Sequence, residues 1–281
     1  MNNIRKPNKR KTPVTIIVGI ICKDKIVLTS DSQTSFGSSK RTDTNKISVV
    51  KFADNNPVLV AQSGNAELSS RAIEQFEKLA KTTQFDDYRR PVEAMEEALR
   101  LLKQDVIRLN NWESNRELAH EFFQDLDNNF SLMIAYYYGA PPLPYLYTVS
   151  FWPGIAARQY GYSTLGCGST VAEFILSRSK VSEMETSYAI MTAIYTVEEV
   201  KKVDAFCGGQ TKIAILDINH KAITTNNQKA LDLIKCTIES MERYEEQTKI
   251  AWKAMMDTIA NEAIENFDKK YPEKNEDKKD E

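Results

Sequence analysis

Short β-branched runs and helical periodicities alternate in blocks along this chain. Residues 15–22 read Thr-Ile-Ile-Val-Gly-Ile-Ile-Cys, and after the polar pair Lys23-Asp24 the chain resumes as Lys-Ile-Val-Leu-Thr-Ser-Asp, ending at Asp31. Two such runs around a polar turn predict a hairpin. Residues 46–51 and 57–63 predict a second strand pair, joined by the turn-forming Asp54-Asn55-Asn56. The period then changes. Leu68, Ala72, Phe76 and Leu79 recur at helical spacing, and Pro91 opens a second helix through Val92, Met95, Ala98, Leu99, Leu102 and Val106. Residues 112–128 are polar and helix-compatible, an insertion or an extension of that helix.

Aromatic-rich strands are predicted over 130–138 and 143–151, and a third over 157–165. Helical runs follow, one opened by Gly166-Cys167-Gly168-Ser169 and one over 185–202, and then strands over 211–216 and 220–224. The order of strands, two helices, strands, two helices, strands predicts an α+β fold in which two stacked sheets lie between helix layers. Beyond residue 226, Leu231, Ile234, Ile238 and Met241, then Trp252, Met255, Ile259 and Phe267, predict amphipathic helices interrupted by the charged stretch 242–249. Residues 268–281 are mostly charged and are expected to be a disordered tail.

With 281 residues, 42% of them hydrophobic, the chain can bury one large core. The expected organisation is a basic extension or propeptide over 1–14, one domain over 15–225, a helical extension over 226–267 and the tail. The formal charge of −2 is unevenly spread: Arg5, Lys6, Lys9, Arg10 and Lys11 lie in an acid-free head, and taking those five from 37 bases leaves 32 against 39 acids, a net of −7. An acidic body argues against nucleic acid as a partner. The apolar run after the basic head has only strand length, so neither a secretory signal nor a membrane span is expected. Cys22, Cys167, Cys207 and Cys236 lack paired spacing and read as reduced thiols of a cytoplasmic protein. His120 and His220 have no ligand-spaced partner, so no His-based zinc site is expected, and with no phosphate loop or nucleotide motif no cofactor is either.

The run from Thr15 to Asp31 resembles the opening hairpin of proteasome β subunits and their bacterial relatives, whose first mature residue is a threonine in this place. Three further signals follow in the family's order. Lys46, before Ile-Ser-Val-Val, matches its catalytic lysine; Gly166-Cys167-Gly168-Ser169 matches its glycine-serine-glycine-serine turn; Asp204-Ala-Phe-Cys207-Gly208-Gly209 matches its aspartate-x-x-serine-glycine-glycine motif. The resemblance spans residues 15 to about 224 and implies the four-layer αββα fold of N-terminal-nucleophile hydrolases. It further implies a threonine peptidase in a homo-oligomeric ring, acting on peptides or unfolded protein, with an ATPase or other activator as partner.

The chemistry needs these residue types. A threonine hydroxyl is a poor nucleophile at neutral pH, and in this class its base is the free α-amine of the same residue. By resemblance Thr15 is the nucleophile, Lys46 lowers the basicity of neighbouring groups through its charge, and Asp31 holds the lysine. Asp204, Cys167 and Cys207 line the site. The oxyanion would be met by a backbone N–H, of Gly64 in Ser63-Gly-Asn-Ala or, counting without gaps from Lys46, of Ala61. Two departures from the pattern stand out, Val14 where glycine commonly precedes the threonine and Cys167 and Cys207 in place of serines; Gln33 in place of a basic residue matters less. Two other functions remain open, a non-catalytic structural subunit that keeps residues 1–14 and an amidohydrolase on the same scaffold.

Overall fold

In the computed structural model, which describes residues 15–36, 39–125, 129–179, 184–219, 221–224 and 228–270, the predicted first hairpin is the pair β1 (Ile17–Ile21) and β2 (Lys25–Ser30). Almost every residue of both strands is buried, as a short unbroken apolar run requires when both faces of its sheet are covered. Twelve strands and six helices are present among the described residues, a mixed α/β fold. In chain order the others are β3 (Thr34–Phe36), β4 (Ser39–Arg41), β5 (Ile47–Lys51), β6 (Pro57–Gly64), α1 (Ala66–Ala80), α2 (Arg90–Leu109), α3 (Arg116–Gln124), β7 (Phe130–Tyr138), β8 (Leu143–Ser150), β9 (Ala156–Gln159), β10 (Tyr162–Leu165), α4 (Ser169–Ser177), α5 (Thr186–Val203), β11 (Lys212–Asp217), β12 (Ala222–Thr224) and α6 (Gln228–Lys270).

Two five-stranded antiparallel sheets organise them, in the orders β10-β1-β2-β11-β12 and β5-β6-β7-β8-β9. Period-two alternation assigns the faces. In β7, Leu132, Ile134 and Tyr136 join a cluster with Ala72 and Phe76 of α1 and Met95 and Leu99 of α2. The intervening Met133, Ala135 and Tyr137 join Ile17, Ile26, Leu28, Ala214 and Leu216 of the first sheet. Helix α5 buries Ala189, Ile190, Ala193, Ile194, Val197 and Val200, and packs on β1 and β2.

Three elements differ from expectation, and in a fourth the structure takes one of the two alternatives left open. The strand expected over 157–165 is two strands in different sheets, because Gly161 takes φ +78° and turns the chain from β9 to β10. Part of 112–128 is a separate helix, α3, whose N-terminus is capped by Asn115 accepting from the Leu118 N–H. A short hairpin, β3 with β4, follows Asp31 where no strand was expected. The charged stretch 242–249 does not interrupt the last helix, since Glu, Lys and Arg are good helix formers and α6 runs through it. The basic head 1–14, His220 and residues 271–281 of the charged tail lie outside the described residues.

The chain divides into two compact units at Ile234 and Lys235. The described part of the second unit is the remainder of α6, on which Ile250, Trp252, Met255, Met256 and Ile259 are exposed. No helix among the described residues is long and apolar enough to cross a membrane.

Candidate functional site

β1 and β2 set the centre of the site. Thr15 precedes β1 and Asp31 follows β2, so the hairpin brings the two side by side, and the Asp31 N–H donates to the Ile16 carbonyl at 3.2 Å. Lys46 precedes β5 in the second sheet, where its carbonyl accepts from the Gln62 N–H at 3.0 Å. All three side chains are buried, at 1% exposure for Thr15, 0% for Asp31 and 5% for Lys46. The Thr15 hydroxyl donates to Asp31 Oδ1 at 2.7 Å. Lys46 Nζ donates to the same Oδ1 at 2.7 Å and to Thr15 Oγ1.

Asp31 is the hub. Its Oδ1 also accepts from the Ile16 N–H at 3.0 Å, and its Oδ2 accepts from the N–H groups of Gln33 at 3.2 Å and Gly208 at 3.1 Å. A buried carboxylate with this many donors satisfies its lone pairs without water. Burial pulls the Lys46 ammonium below its ordinary pKa, and the neighbouring Asp31 partly restores it.

The turn between β10 and α4 closes the site on the main-chain side of Thr15. The Gly168 N–H donates to the Thr15 carbonyl at 3.3 Å, and Cys167 Sγ lies 3.4 Å from both the Thr15 nitrogen and that carbonyl oxygen. Gly166 has φ +100°, and a Cβ on it would fall 2.2 Å from the Thr15 carbonyl oxygen. Gly166→Ala is therefore expected to destabilise the fold by at least about 2 kcal/mol and to push Thr15 out of register. Denaturant midpoints of the two proteins check this.

Cys207 Sγ is 3.6 Å from Cys167 Sγ. Their hydrogen bond lowers the pKa of Cys167, and the same bond together with burial pushes that of Cys207 up. Asp204 ends α5, its Oδ1 accepts from the Phe206 N–H at 2.8 Å, and its carbonyl accepts from the Cys207 N–H at 3.0 Å. Gly64, at the end of β6, lines a small pocket together with Thr15, Lys46, Ser63 and Ser69. Ala61 is instead fully buried in the cluster between the sheets. The structure thus brings Thr15, Asp31, Lys46, Cys167, Cys207, Asp204 and Gly64 into one region.

No protein-family model matches the chain, and no curated protein sequence matches it. Solved structures do. An Anbu (ancestral beta-subunit) chain from Yersinia bercovieri superposes with a TM-score of 0.60 at 13% identity, over 83% of this chain and 97% of its own. The Anbu chain in the helical assembly of the Anbu complex from Pseudomonas aeruginosa gives 0.61 at 15%, over 83% and 96%. Anbu from Hyphomicrobium sp. strain MC1 gives 0.55 at 13%, over 83% and 97%. The likeness is one of fold. It corrects the assignment to the proteasome β-subunit family drawn from Thr15, Lys46 and the two glycine turns: no family model supports it, and these three similar structures are Anbu chains, a proteasome-like group, at identities too low to carry more than the fold.

The roles of two residues at the site are not legible in the sequence. Gly208 and Gln33 act on Asp31 through main-chain N–H groups, which no side-chain pattern reveals, and the Gln33 side chain donates to the Phe206 carbonyl at 3.0 Å, tying the segment after Asp31 to the turn after Asp204. The positions of Gln33 and Gly208 within recognised motifs were the only signal.

Proposed function

We propose that the protein is a threonine-type peptidase on a four-layer αββα scaffold, and that removal of residues 1–14 makes Thr15 its N-terminal nucleophile. The observation that carries this reading is the Thr15 hydroxyl held between Asp31 Oδ1 and Lys46 Nζ at the edge of the pocket that Gly64 lines. The freed α-amine takes the hydroxyl proton as Oγ1 attacks a peptide carbonyl, and the Gly64 N–H receives the developing oxyanion. The amine then returns the proton to the leaving amine, and water hydrolyses the acyl-enzyme. The Lys46 ammonium lowers the basicity of both groups, while Asp31 fixes its position. Asp204, Cys167 and Cys207 line the amine side of the site. The layered scaffold is supported by the two apolar clusters, one between the sheets and one between the second sheet and α1 and α2.

The working form is a homo-oligomer, supported by the apolar residues exposed on the second unit. A similar chain is described in a helical assembly, so an open helix stands beside the closed ring as its arrangement. ATP-driven unfolding of substrates would come from a partner. The four free cysteines support a reducing, cytoplasmic setting. One observation favours a second reading, a structural subunit that is never trimmed: Val14 is β-branched and restricts the backbone on the acyl side of the bond to be cut. Turnover of short peptides carrying a fluorogenic amide, compared between the trimmed protein and its Thr15→Ala variant, tests the first reading. The peptidase reading requires turnover that depends on Thr15, and its absence from trimmed protein would overturn it.

A further inference from the structure

Two of the residues that depart from the serine pattern sit beside a carboxylate. The ligand atoms of Cys167, Asp204 and Cys207 all lie within 4.8 Å of one another. A tetrahedral zinc ion with Zn–S bonds of about 2.3 Å separates two sulfurs by about 3.8 Å and a sulfur from a nitrogen by about 3.5 Å. Here the two sulfurs are 3.6 Å apart, and the Thr15 nitrogen is 3.4 Å from Cys167 Sγ. These separations already approximate the edges of such a coordination shell.

We propose that Cys167, Asp204 and Cys207 form a binding site for a thiophilic divalent cation of the zinc type, and that the Thr15 amine becomes its fourth ligand once residues 1–14 are removed. The three-residue site stands on its own geometry. Its fourth ligand, and with it an inhibitory role, rests on the trimming proposed above.

The donor set selects the metal. Two thiolates and one carboxylate suit zinc, whereas magnesium and calcium require oxygen ligands. The carboxylate is oriented beforehand, since its Oδ1 accepts from the Phe206 N–H at 2.8 Å, the kind of supporting contact that metal ligands need. Binding of the cation displaces the two thiol protons to solvent, so affinity rises with pH. Spacing in the sequence conceals the site, because its ligands come from two turns, one after β10 and one after α5.

The functional consequence follows from the fourth ligand. An α-amine whose lone pair is given to a metal cannot accept the hydroxyl proton, so the cation switches off the peptidase without touching Oγ1. Two thiols where serines were expected are thereby a route to reversible metal inhibition.

The test titrates cobalt(II), a spectroscopic stand-in for zinc, into the full chain stripped of metal and reduced with a phosphine. The expected result is one equivalent bound, with sulfur-to-cobalt charge-transfer absorption that one equivalent of zinc abolishes. Cys167→Ser and Cys207→Ser are expected to lose most of that absorption and to weaken zinc binding at least about tenfold, while Cys236→Ser, at an exposed position, retains both. No charge-transfer band, or a band that survives in both site variants, overturns the site. On protein that begins at Thr15, zinc is expected to inhibit peptide turnover in the parent and at least about tenfold less in Cys207→Ser. Equal inhibition of the two overturns the inhibitory role. The cobalt titration of the untrimmed chain reads the site whether or not the peptidase reading survives.

Discussion

Thr15→Ala is expected to lower peptide turnover on the order of 10⁴-fold or more, while costing the fold only about 1 kcal/mol. The two effects separate because of what the hydroxyl touches. It is the nucleophile of the proposed reaction, and neither the Lys46 ammonium nor the Asp31 carboxylate can form the ester in its place. For the fold it is one donor among several, because Asp31 keeps Lys46 Nζ and the N–H groups of Ile16, Gln33 and Gly208 when it is gone. Thr15→Ser keeps a hydroxyl and is expected to retain turnover well above the alanine variant. Initial rates on protein trimmed to residue 15, with denaturant midpoints alongside, check both halves. Alanine protein that hydrolyses peptides at the parental rate would move the nucleophile elsewhere.

The second large effect is an asymmetry within the buried ion pair. Asp31→Ala leaves the Lys46 ammonium without its carboxylate at 5% exposure, and is expected to destabilise the fold by about 3–5 kcal/mol. Lys46→Met should cost less, because the carboxylate left behind retains three backbone donors and the Thr15 hydroxyl. The pH dependence has a definite sign. Burial places the folded-state pKa of Lys46 below its ordinary 10.5, so between the two values the unfolded chain binds the extra proton. Stability then rises with pH through that window. The difference between parental and Lys46→Met stabilities is expected to shift towards the parent as pH climbs to 10.5. A difference independent of pH there would contradict the burial of a charged lysine.

Much of the fold was legible because a few segments carry unambiguous local chemistry. The β-branched runs of β1 and β2 permit little except strand, and Leu68, Ala72 and Phe76 in one segment and Met95, Leu99 and Leu102 in the next repeat at helical spacing. Gly161 hid the break between β9 and β10, since one glycine within nine residues of strand-like composition does not reveal that the chain changes sheets. Residues 242–249 misled in the opposite sense: charge was read as interruption, although a charged run on the surface of a helix is ordinary. In the site, the resemblance singled out Asp31, Lys46 and Thr15, and the structure brings them within hydrogen-bond distance. What pattern reading could not supply was the main chain: Gly208 and Gln33 donating to Asp31, and Gly166 held against the Thr15 carbonyl. The family assignment failed for a related reason. Short motifs in the right order are compatible with a shared fold at identities of 13 to 15%, where membership of a particular family no longer follows.

Everything catalytic in this account passes through the bond between Val14 and Thr15. Until that bond is cut, the Thr15 nitrogen is a peptide amide with no useful basicity, and the hydroxyl beside Asp31 and Lys46 lacks the base assigned to it. Intact-mass measurement of the purified full-length protein, with its first residues sequenced, addresses this directly. The expected result is a chain that has lost residues 1–14 and begins at Thr15; a persistent mass that still includes them in protein that hydrolyses peptides would contradict an N-terminal Thr15 nucleophile.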